Sequence, residues 1–97
     1  MANKIKNNLF ITMNSSENPI NEYSLKSLEL WLTKLGAVPD SSNPSRWILK
    51  LYNWEATINF EQEDLSIIWN CEGHITKRMF SYCINRTDVE NAILQGP

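Results

Sequence analysis

Apolar positions in the segment SLKSLELWLTKLG recur three and four residues apart. Leu25, Leu28, Leu32 and Leu35 fall on one helical face with Trp31 beside them, which predicts an amphipathic helix. Ser24 is placed to cap its first turn and Gly36 to end it, and Lys34 sits in the last turn, where a cation suits the helix dipole. The following VPDSSNPS is dense in Pro, Ser, Asp and Asn and predicts a loop. From Arg46 the period changes to two. Trp47, Leu49 and Leu51 share one phase, with Arg46 and Lys50 on the other, where Ile48 interrupts the polar side. Trp54, Ala56, Ile58 and Phe60 then alternate with Glu55, Thr57, Asn59 and Glu61, the signature of a half-buried strand.

A third strand puts Leu65, Ile67, Trp69 and Cys71 inward. Ile68 breaks its polar side, which implies that something covers part of the second face. Glu72-Gly73 marks a turn. The run Ile75–Ile84 has two phases, Phe80, Tyr82 and Ile84 against Lys77, Met79, Ser81 and Cys83, and predicts a fourth strand less sharply. The last element, NRTDVENAILQGP, has Asn85 as N-cap with Asp88 three residues on, Val89, Ala92 and Ile93 as its apolar face, and Gly96-Pro97 as its stop. The order is helix, three to four antiparallel strands, helix. It implies an α+β domain over residues 21–97, a two-layer sandwich with helices on one sheet face. Residues 1–20 are polar and aperiodic and read as a tail, with Met13 as an alternative start.

Composition narrows the function classes. Ninety-seven residues carry 9 Lys+Arg against 11 Asp+Glu, for a net charge of −2, so binding of DNA through bulk positive charge is not expected. Hydrophobic residues make up 42%, with four Trp, enough for a small core. No apolar run approaches the ~20 residues that a membrane span needs, and Leu9-Phe10-Ile11 is too short for a signal-peptide core. Two cysteines, Cys71 and Cys83, both fall in strands and read as reduced, buried thiols of a cytosolic chain.

Catalytic chemistry is hard to assemble from these residues. The single histidine, His74, follows a turn glycine, and nothing resembling a nucleophile elbow surrounds it or Cys83. Cys71-x-x-His74 is half of a zinc spacing without its second half. Glu61, Glu63 and Asp64 form a charge run in a strand turn, the pattern of a solvated face. Three glycines scattered at positions 36, 73 and 96 cannot cradle a phosphate. No catalytic residue, metal or cofactor is therefore expected. One basic spot remains: Lys77 and Arg78 lead into Phe80 and Tyr82, with Arg86 beyond. Exposed aromatic and basic side chains there would meet an acidic partner protein. An RNA- or ribosome-associated module using the same spot is the second reading, and a small-ligand or metal-binding domain the third.

Read together, NPINEYSLKSLELWLTKLG, NPSRWILKLYNWEATINFEQEDLSIIW and RMFSYCINRTDVENAILQGP resemble a domain-of-unknown-function family of cyanobacteria and plant chloroplasts (domain of unknown function 3143). The positions that carry it are Trp31, Leu32, Leu35 and Gly36; Asn43, Pro44 and Trp47; and Asp88, Val89, Glu90, Ala92, Ile93, Gly96 and Pro97. The likeness spans roughly residues 18–97. It implies an oxygenic phototroph and kinship to a chloroplast factor that promotes photosystem I assembly. From it follow a partner in a photosynthetic complex and a place at the cytoplasmic (stromal) face of thylakoids. No functional residue is carried over from that factor.

Overall fold

The computed structural model describes residues 18–97; the predicted tail through residue 17, with Met13 and Leu9-Phe10-Ile11, lies outside the described residues. A 3₁₀ turn at Ile20–Glu22 leads into helix α1, Leu25–Leu35. Five strands follow: β1 Val38–Asp40, β2 Asn43–Lys50, β3 Glu55–Phe60, β4 Asp64–Cys71 and β5 His74–Ser81. Helix α2, Arg86–Gln95, closes the chain. The strands form one antiparallel sheet in the order β1-β2-β3-β4-β5, so β1 and β5 are its edges.

Helix α1 forms as its sequence dictates. The Ser24 hydroxyl accepts from the Ser27 amide at 3.1 Å, and Gly36 ends the helix in the left-handed region at φ 101°. Its buried residues are Leu28, Trp31 and Leu32, while Leu25, expected on the same face, is exposed because it sits in the first turn. Asn85 holds the N-cap position of α2 but makes no side-chain cap bond. Its backbone instead joins the chain entry: Pro19 bridges to Asn85, and the Arg86 amide donates to the Asn18 carbonyl.

These bonds shorten the tail. The Ile20 amide donates to the Ile84 carbonyl at 3.0 Å and the Ile20 side chain is fully buried, so Pro19 and Ile20 belong to the folded unit. Strand β1 lies where a loop was expected. A three-residue edge strand shows no alternation, and Pro39 is tolerated in a strand only at an edge. Strand β2 begins at Asn43, three residues before the periodic sequence, and Leu51, expected inward, lies past its end and is exposed. Trp54 precedes β3 and is half-buried. β4 and β5 join through Glu72-Gly73, both with positive φ (53° and 87°), which matches the twist of a tight hairpin.

One set of alternating strand residues is buried: Trp47, Leu49, Ala56, Ile58, Leu65, Ile67, Trp69 and Phe80. They join Leu28, Trp31 and Leu32 of α1 and Val89, Ala92 and Ile93 of α2 in a single apolar cluster. The Trp69 indole ties sheet to helix by donating to the Ile93 carbonyl at 3.3 Å.

Candidate functional site

The register fixes what the opposite sheet face presents. Directly paired residues share a face. Val38 pairs with Ile48, Ile48 with Thr57, Thr57 with Ile68, and Ile68 with Lys77. This row, apolar at Val38, Ile48 and Ile68, crosses all five strands and ends at Lys77 on the edge strand. There Ile75 and Met79 flank Lys77 on the same side, 58% and 49% exposed. Ile48 and Ile68, the two residues that interrupt the polar phase, are both members of the row, each half-buried.

Beside it runs a polar row. The Arg46 guanidinium pairs with the Asp40 carboxylate at 3.3 Å and donates through Nε to the Asn59 side-chain oxygen. Asn59 Nδ2 donates to the Ser66 hydroxyl, which donates to Glu61 Oε2 at 2.9 Å. Ser66 is fully buried, and these bonds satisfy it. The Ser42 amide, its hydroxyl and the nearby Arg46 hold the Asp40 carboxyl below the usual carboxylate range. Reading by type alone does not find these rows, because register decides which strands set their residues side by side.

The predicted basic spot divides among four places. Lys77 lies on the apolar row, exposed. Arg78 points the other way, paired with Ile67, and its guanidinium stacks over the Phe80 ring at 4.8 Å. Phe80 was expected to be exposed; it is 5% exposed because it shares the inner phase with its partner Leu65 and packs in the core. Tyr82 lies past the end of β5, half-buried, with its hydroxyl donating to the Glu61 carbonyl. Burial, with the carboxylates of Glu61 and Asp64 behind it, pushes the Tyr82 phenol above its ordinary pKa. Arg86 opens α2, and its guanidinium lies over the rings of Tyr23 and Trp31 at 4.8 and 5.6 Å. Strand alternation therefore breaks up the stripe that the order Lys77-Arg78 suggested.

The candidate metal and nucleophile groups also separate. Cys71 and His74 face each other across the β4–β5 turn, whereas Cys83 follows the far end of β5, roughly 23 Å along an extended strand. Among the described residues no group of three or more His, Cys, Asp and Glu side chains could hold a metal ion. Cys83 is exposed and lies beyond the strand, where a buried strand thiol was expected, and Cys71 is half-buried. No described helix is long and apolar enough to cross a membrane.

Residues 35–96, from the end of α1 through α2, match the family described as Protein of unknown function (DUF3143). The chain belongs to that family. The match takes in the whole sheet, both rows of the outer face and the Arg86 end of α2, so the DUF3143 region contains nearly all of the geometry above. No curated protein and no solved structure matches the DUF3143 chain.

Proposed function

We propose that this DUF3143 chain is a non-enzymatic protein-binding domain, an accessory or assembly factor for a photosynthetic complex, photosystem I by the resemblance noted above. It would work at the cytoplasmic (stromal) face of thylakoids in a cyanobacterium or chloroplast. In this reading the fold is a two-layer sandwich, with helices on one sheet face and the partner on the other. The observation that carries the reading is the exposed apolar pair Ile75 and Met79 on either side of Lys77, on the outer face of an edge strand where the row of Val38, Ile48 and Ile68 ends. Exposed apolar side chains gathered on one face mark interaction sites, and methionine is enriched at protein interfaces. Lys77 supplies the charge that would select an acidic rim. The basic residues that an RNA reading requires diverge, so that reading is less well supported.

The test uses a tagged full-length chain in a cyanobacterial host. Photosystem I subunits should co-purify with the wild-type chain and be lost with the Ile75→Asp/Met79→Asp variant, which alters only exposed side chains. A deletion strain should accumulate less photosystem I. Normal photosystem I levels together with no photosynthetic subunit in the purification would refute the proposal.

A further inference from the structure

A second feature lies apart from the apolar row. A depression of about 360 Å³ is lined by Tyr23, Ser27, Leu30, Trp31, Lys34 and Arg86, among others. Ser27, Leu30, Trp31 and Lys34 follow the three-and-four spacing of one α1 face. Arg86 comes from the start of α2 and Tyr23 from the turn before α1.

The state of Arg86 decides what this depression can take. The aromatic faces of Tyr23 and Trp31 cover its guanidinium plane, which leaves the in-plane N–H fork to meet a partner. Glu90 lies one helical turn away, the natural partner for an ion pair, but its Oε1 accepts from the Trp31 indole at 2.8 Å. The ion pairs among the described residues are Arg46–Asp40 and Lys50–Glu55, so neither Arg86 nor Lys34 holds one. Arg86 Nε and the Tyr23 hydroxyl are both buried without a hydrogen-bond partner. Arg86 and Tyr23, which carry these donors, thus line one small space together with Lys34 and the apolar wall of Leu30 and Trp31.

The geometry points to a binding site for a small organic oxyanion, a carboxylate or phosphate on an apolar body about the size of one ring. The oxyanion accepts from the terminal N–H groups of the Arg86 fork, Lys34 adds charge at the rim, and the body lies along Leu30 and Trp31. A planar fork matches either anion in bidentate fashion. The volume stands at the lower end of small-molecule pockets, which run from about 300 to 1,000 Å³. This site is independent of the outer sheet face, and either can fail without the other.

The test is a nuclear magnetic resonance titration of the full chain with benzoate and phenyl phosphate, and with acetate and inorganic phosphate as bodiless counterparts. Benzoate or phenyl phosphate should shift the Trp31 indole Nε1–H and the Arg86 Nε–H saturably. Arg86→Ala should weaken that binding about tenfold or more, as expected for loss of a charged hydrogen bond, while Lys50→Ala leaves it unchanged. Lys34→Glu alters an exposed rim residue and keeps the test decisive if Arg86→Ala misfolds; it too should weaken binding. Preference for benzoate or for phenyl phosphate supports the proposal either way and identifies the anion. No saturable shift, equal affinity for acetate and inorganic phosphate, or wild-type binding by Lys34→Glu would overturn it.

Discussion

Replacing Trp69 with alanine removes the largest fully buried side chain and its hydrogen bond from sheet to α2. The indole is 1% exposed in the middle of β4, against Ala56 on one side and Thr76 on the other. Truncating a buried tryptophan costs about 3–5 kcal/mol. The lost N–H adds little beyond this, because the Ile93 carbonyl keeps the Gly96 amide at 3.3 Å and is not left unpaired. A domain of about 80 residues has ~4–12 kcal/mol of stability in total, so Trp69→Ala removes at least about a quarter of it. Trp69→Phe keeps most of the ring and should cost about 1–3 kcal/mol. Trp54, half-buried before β3 with its indole beside Gly96, should cost only ~1–2 kcal/mol on truncation to alanine. Urea unfolding followed by circular dichroism separates the three. With a slope of ~1 kcal/mol per molar, Trp69→Phe should move the midpoint down by about 1–3 M. An unmoved midpoint for Trp69→Phe, or equal costs for Trp54→Ala and Trp69→Ala, would refute the assignment of Trp69 as the joint between sheet and helices.

Ser66→Ala should destabilise the chain by about 1 kcal/mol, measured in the same urea assay, because Asn59 and Glu61 both lose their shared hydroxyl. Tyr82 should be a late phenol in an ultraviolet pH titration, and that step should vanish in Tyr82→Phe. Its folded pKa is raised, so its contribution to stability is fully present below the model-peptide value of 10.0 and is lost as pH rises through the folded value. Alkaline unfolding of Tyr82→Phe should accordingly begin at higher pH. Under native conditions a thiol reagent should label Cys83 well before Cys71, and mass spectrometry of the first adduct should place it on the peptide after β5.

How much was legible in the sequence depended on whether a signal was local. Helix α1 and its ends rest on residues at most four apart, and both Ser24 and Gly36 do what their side chains or lack of one require. Strand β3 alternates cleanly because one face enters the core and the other meets the polar row. Strand β1 carried no such signal; its three residues are held extended by pairing with β2. In β5 the inner phase contains Thr76 and Arg78 ahead of Phe80, and the outer phase contains Ile75 and Met79, so the usual apolar-in pattern is inverted over most of an edge strand. Only Phe80, near the end of the strand, follows the apolar-in pattern. Ile48 and Ile68 did signal the outer row, as apolar residues in a polar phase, but only the register sets them side by side. Nothing local joins Arg86 to Tyr23 and Trp31, which come together across more than half the chain.

In the proposed function the outer sheet face, at Ile75 and Met79, meets a photosynthetic protein. A photo-crosslinking residue at position 79 in a cyanobacterial host tests it most directly, with position 62, in the exposed β3–β4 turn, as the control. An adduct to a photosystem I subunit should form from position 79 and none from position 62. No adduct from position 79, or equal yields from both positions, would contradict it.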